Sequence, residues 1–228
     1  MDLPAPRVEP PTPGLMPGPY DVTMTVTQDA LDELWDFADP AASAARFADA
    51  AARTSGPDRD ELETQRARAY GLQGRFEEAD AVLDGLSGAT PAVRTRVALE
   101  RGRVQNSAGS PEAAVPFFRT AVGEARAAGL TFLLVDALHM LAIADTAGAD
   151  AWTTEAFAEI AQVTDPRTLR WRISLHSNAG WRLFDAGRLD AALREFEAAR
   201  EAAVQWGTPQ QLQWAAEAIA ECRAALEG

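Results

Sequence analysis

Lysine is absent from this 228-residue chain, and all 21 of its basic side chains are arginine. No side-chain amine is on hand for Schiff-base chemistry, and every cation is a planar fork suited to carboxylates. The arginine-favouring codons of a GC-rich bacterial genome account for the bias without a functional cause. Cysteine is almost as scarce: the lone Cys222 excludes an internal disulfide and a cysteine-rich zinc site, and fits a reducing cytoplasm. Only two histidines occur, His139 and His176, whereas a metal centre wants three or four converging ligands.

Long apolar runs are missing, which argues against a membrane-spanning helix, and no basic-then-apolar leader opens the chain. Runs of alternating β-branched residues are missing too, so nothing reads as strand. Phosphate loop, HExxH helix and nucleophile elbow are all lacking. The net charge of -13 opposes attraction to nucleic acid and anionic lipid. The expectation is a soluble cytoplasmic protein with no catalytic residues, no metal and no cofactor.

What is present is a period. Gly74, Gly109, Gly148 and Gly187 follow one another at intervals of 35, 39 and 39 residues, each between two alanine-rich amphipathic segments. Spacing of this kind marks stacked helical hairpins, whose apolar faces are buried only by their neighbours. Asp39-Pro40, Thr90-Pro91, Ser110-Pro111, Asp165-Pro166 and Thr208-Pro209 each set a capping oxygen before a first-turn proline. Gly74, Gly109, Gly129, Gly148, Gly187 and Gly207 stand where helices should stop. The resulting helices are 28–38, 40–54, 58–73, 75–87, 91–108, 111–128, 131–147, 150–163, 166–186, 188–206 and 209–226, with a local kink at Pro116. Residues 1–23 hold half of the fourteen prolines, and read either as a disordered docking tail or as the product of a start codon placed ahead of Met24. The repeat domain is 24–228.

Paired in order, the helices resemble tetratricopeptide repeats, in which a small residue of the first helix faces Ala-x-x-x-Phe in the second. Ala179-Gly180, Gly187, Ala192 and Phe196 form the clearest copy. Gly102, Gly109, Ala114 and Phe118 form another, and Ala67, Tyr70, Gly74, Ala79 and Leu83 a third. The copy from Asp136 has two open registers, through Thr153 or Thr154 and Phe157 or Ala158. A divergent copy surrounds Trp35, Pro40, Ser43 and Phe47. Longer phrases such as GWRLFDAGRLDAAL resemble stand-alone bacterial tetratricopeptide proteins of unassigned role. The resemblance implies an all-α, right-handed α-solenoid of about five hairpins, closed by a capping helix near 209–226.

It further implies that first helices line a concave groove. Residues three and four apart share a helical face, which gives the stripes Glu61, Thr64, Arg68, Gly71; Arg96, Leu99, Arg103, Asn106; Asp136, His139, Ile143, Thr146; and Ser174, Ser177, Trp181, Phe184. An arginine-lined groove inside an acidic shell (Glu77, Glu78, Asp80, Glu195, Glu197, Glu201) would steer and hold a carboxylate-bearing peptide. Arg68, Arg96, Arg103, Asn106, His139, Asn178 and Trp181 are the candidate contacts. Solvated helix faces and internal ion pairs are the competing account of the arginines, and core packing that of Trp181 and Phe184. Trp35, Trp152, Trp171, Trp206 and Trp214 are assigned to packing. The expected role is a non-enzymatic adaptor for a protein or peptide partner, in which Arg103→Glu abolishes binding and leaves helicity intact. Two competitors are self-assembly, as a homodimer through Leu31, Leu34, Trp35 and Phe37, and a regulatory subunit responding to a small ligand.

Overall fold

The computed structural model describes residues 26–227; the proline-rich stretch 1–23 and the Met24 question lie outside the described residues. Among these the chain is all-helical: α1 (Gln28–Leu34), α2 (Pro40–Ala52), α3 (Gly56–Leu72), α4 (Phe76–Asp84), α5 (Pro91–Ser107), α6 (Pro111–Ala127), α7 (Thr131–Ala144), α8 (Ala149–Ile160), α9 (Pro166–Leu169), α10 (Trp171–Asp185), α11 (Leu189–Trp206) and α12 (Pro209–Glu227). Consecutive helices pack in pairs, and the first helices also meet one another, α3 on α5, α5 on α7 and α7 on α10.

The start signals work as their chemistry dictates. Asp39 accepts from the Ala42 amide, Thr90 from Val93, and Asp165 from Arg167 and Thr168. Thr208 and Gln211 exchange hydrogen bonds of 3.2 and 3.0 Å in a reciprocal box at the head of α12. Ser110 precedes its proline without making a side-chain cap bond. α6 runs through Pro116 without interruption.

Two expected stop glycines are not left-handed. Gly148 has φ -94° and heads α8, while Gly207 is extended. At Gly74, Gly109, Gly129 and Gly187 φ is positive, so the helix ends in a conformation that side chains rarely adopt. The span 166–186 is two helices rather than one. The Asp165 carboxylate also accepts from the Thr168 hydroxyl, closing a single tight turn. The chain then restarts through a short Ile173-to-Arg170 bond.

Glycine has a second use inside helices. A Cβ on Gly180 would lie 2.5 Å from Cε1 of Phe196, and one on Gly102 would strike the Phe118 ring just as hard. Both rings are fully buried, and each glycine precedes its phenylalanine by the same sixteen residues. The ring packs against bare backbone, which lets paired helices approach closely. In α8, Thr153 is buried and its hydroxyl bonds the Ala149 carbonyl, while Ala156 and Ile160 fill the core. Of the two candidate threonines, Thr153 is the buried one and Thr154 is exposed. Phe157 is half-buried and leans on His176 at 4.5 Å between ring centroids.

Candidate functional site

Alternate helices converge on one hollow of about 480 Å³. Its wall runs from Gln28 and Asp32 of α1, with Trp35 and Phe37 behind them, through Gln65 and Arg68 of α3, Arg96 and Glu100 of α5, and Phe132 and Asp136 of α7. It closes with Arg167 of α9, Arg170, Trp171 of α10, and Gln210, Gln211 and Trp214 of α12. Two smaller cavities adjoin. One of about 200 Å³ lies between Arg68, Gly71, Glu100, Arg103 and Met140. The other, about 170 Å³, lies between His139, Ser174, Ser177, Asn178, Gln211 and Trp214.

The expected stripes therefore split. Arg68, Arg96, Leu99 and Asp136 face the hollow, while His139 and Asn178 face its annex. Trp181 does neither: it meets Phe196 edge-on at 4.9 Å and Phe184 at 5.5 Å, within the core between α10, α11 and α12. Asn106 is half-buried and lines none of these cavities. Of the tryptophans assigned to packing, Trp35 and Trp171 do pack against core clusters and also stand on the hollow wall, and Trp214 stands there too. Trp214 is 59% exposed, on a glutamine-rich turn (Gln210, Gln211, Gln213) of the helix expected only to cap the array. That polar turn carrying one large aromatic was the signal available in the sequence.

Most inward arginines already hold partners. Arg96 donates to Glu61 at 3.1 Å and to Gln28 at 2.6 Å, and is nearly buried. Arg103 bridges Glu100 and Asp136, joining α5 to α7. Burial works against the Arg103 charge, but Asp136 and Glu100 outweigh it and hold the guanidinium above its ordinary range. Burial likewise opposes the Asp136 charge, yet Arg103 and Arg68 keep its carboxyl below the usual range. For Glu100 burial wins and pushes the carboxyl up, and its Oε2 has no hydrogen-bond partner. His139, beneath this network and 5.2 Å from Trp171, is pushed down by burial to about 4. Its Nδ1 is buried without a partner.

Arg68 and Arg170 differ from the rest: neither has a carboxylate partner among the described residues. Arg68 lies 5.5 Å from the Trp35 ring and 5.6 Å from Phe37, and burial lowers its pKa. Arg170 donates through Nε to the Trp206 carbonyl at 2.9 Å, and its side chain lines the hollow.

Outside, arginines staple neighbouring helices: Arg94 to Glu124 at 2.8 Å, Arg101 to Asp84 at 2.6 Å, Arg182 to Asp150 at 3.0 Å and Arg223 to Glu197 at 2.9 Å. Exposed pairs of this kind contribute about 0–1 kcal/mol each. His176 pairs with Glu195 at 2.8 Å. Among the described residues no cluster of His, Cys, Asp or Glu could hold a metal, and no helix is long and apolar enough to cross a membrane. Leu31, expected on a self-assembly face, is fully buried against Phe47, Ala51 and Leu62 of its own chain.

No protein-family model matches the chain, and no curated protein matches it.

Proposed function

We propose that the chain is a non-enzymatic helical-repeat module of the tetratricopeptide type, and that it holds a segment of a partner protein in the hollow. The observation that carries this reading is the composition of the wall. Alternate helices contribute aromatic surface (Trp35, Phe37, Phe132, Trp171, Trp214) interleaved with Arg68 and Arg170, neither of which makes a direct ion pair with a carboxylate among the described residues. Half-exposed aromatics beside arginine are the usual anchors of protein recognition. In a molecule of net charge -13, two such guanidiniums in one concavity favour an acidic segment. The recurring Gly102–Phe118 and Gly180–Phe196 packing supports the repeat reading.

The test compares proteins captured by the wild type with those captured by Trp214→Ala/Arg170→Glu, both substitutions lying outside the buried network. A partner held by the wild type and lost by the variant supports the reading, and identical capture contradicts it. The hollow's 480 Å³ also falls within the range of small-molecule pockets. Thermal stabilisation by a metabolite pool and not by any captured protein would move the function to a small-ligand regulator.

A further inference from the structure

One corner of the hollow narrows to a pocket of about 150 Å³, lined by Phe132 of α7, Arg167 of α9, Arg170 just beyond it, Trp171 and Ser174 of α10, and Gln211 of α12. No carboxylate lines this pocket, although the chain holds 34 acidic side chains against 21 basic ones. Every polar side chain on its wall brings a hydrogen-bond donor: two guanidiniums, an indole N–H, a hydroxyl and a primary amide. Arg167 and Arg170 stand three residues apart in the tight turn before α10, and so share a face.

These donors are only partly used. Arg167 gives Nη2 to Asp32 at 2.6 Å, while its Nε and Nη1 are buried without a partner. Trp171 Nε1 is buried and unpartnered as well. Arg170 is pinned through Nε to the Trp206 carbonyl at 2.9 Å, which leaves both Nη groups uncommitted. Gln211 spends its acceptor on the Thr208 amide at 3.0 Å, so its nitrogen is the end that remains. Buried donors with no acceptor are rare in folded proteins. The two cations also act on each other. Burial lowers the Arg167 pKa, Asp32 opposes that, and the neighbouring Arg170 charge lowers it further. An anion beside both would relieve the repulsion. The donors approach from the turn before α10, from α10 and from α12, which suits a tetrahedral group better than a planar one. A carboxylate offers two oxygens, whereas a phosphoryl group offers three and carries about -1.5 to -2 charges at neutral pH.

We propose that this pocket is a phosphoryl-binding subsite, in which Arg170 and Arg167 meet the charge and Ser174 and Gln211 complete the oxygen contacts. The group belongs either to a phosphorylated side chain of the partner segment or to a small phosphate monoester. Only the first source rests on the hollow being a partner site.

The test titrates inorganic phosphate into the full chain at constant ionic strength, with acetate as the planar comparison, followed by tryptophan fluorescence and melting temperature. Phosphate should saturate at about millimolar concentration or below, and bind about tenfold or more tightly than acetate. Arg170→Gln should weaken phosphate by about tenfold or more. Ser174→Asp sets a carboxylate among the donors and should abolish saturation; it keeps the Arg170 anchor, and so carries the test where Arg170→Gln disturbs the fold. Arg53→Gln, at the exposed end of α2 and away from the pocket, should change nothing. Circular dichroism checks each variant. Phosphatase treatment of the lysate before capture separates the sources: lost capture assigns the group to the partner, and unchanged capture beside intact phosphate binding assigns it to a small molecule. No saturation, equal affinity for phosphate and acetate, or unchanged affinity in the folded pocket variants overturns the proposal. Where capture still depends on Trp214 and Arg170, that result removes only the phosphoryl subsite and leaves the hollow's function standing.

Discussion

Gly180→Ala replaces a hydrogen with a methyl group 2.5, 2.6 and 3.0 Å from three atoms of the Phe196 ring. Carbon atoms rest at about 3.5–4.0 Å, so the ring or the helix must move by roughly an ångström. Phe196 is fully buried in a cluster with Ala192, Ile219 and Cys222, so its ring moves only at the expense of these neighbours. Overpacking of this kind costs about 1–3 kcal/mol. Alanine returns about 1 kcal/mol through its helix propensity. The net expectation is a loss of about 0–2 kcal/mol, or up to roughly 8 °C in melting temperature for a domain of this size. Gly123→Ala supplies the control. It also lies inside a helix, α6, but nothing stands within 4 Å of its added methyl, so it should stabilise by about 1 kcal/mol. Thermal and urea unfolding followed by circular dichroism measure both. The reasoning also requires that Phe196→Leu recover part of the loss in a double variant, because the clash vanishes with the ring. Equal stability for Gly180→Ala and Gly123→Ala would refute the bare-backbone account of helix pairing.

Three further outcomes follow from the site. Arg103→Glu should lower stability by about 3–5 kcal/mol rather than act on binding alone, since Glu100 and Asp136 would be left buried and unpaired; a chemical melt decides it. His139 is held near 4 in the folded state and titrates near 6.5 when unfolded. Its contribution is therefore complete above the unfolded value and is lost as pH falls toward 4, about 3 kcal/mol in all; His139→Gln should flatten that slope in melts between pH 7 and 4. Trp214→Ala should shift stability by no more than about 0.5 kcal/mol, because the ring is largely exposed, yet it should lose the captured partner.

Helix positions were legible because caps and first-turn prolines act locally: Asp39, Thr90 and Asp165 bond amides two or three residues ahead. The small-against-large pairs were legible for the same steric reason that glycine and phenylalanine recur at fixed spacing. The break at Arg170 was not, since no glycine or proline marks it and the Thr168 hydroxyl that tightens the turn is an ordinary helical residue by composition. The inward direction of Arg68, Arg96 and Arg103 was readable from helical spacing, but their engagement was not. Glu61 lies 35 positions from Arg96, and Asp136 lies 33 from Arg103, so each partner arrives with a different helix. Trp214 was missed because a terminal helix has no fixed inward face in the sequence; the packing of α12 on α11 turns it toward the hollow.

The central claim, that this hollow receives a partner segment, is tested most directly by photocrosslinking in the partner's presence from two positions of the full chain. One probe replaces Gln210 on the hollow wall, and the other replaces Glu112 on the first turn of α6, which lines none of the three cavities. The account predicts a crosslinked partner peptide from position 210, abolished by Trp214→Ala, and none from position 112. Crosslinking from position 112 alone, or equally from both, would contradict it.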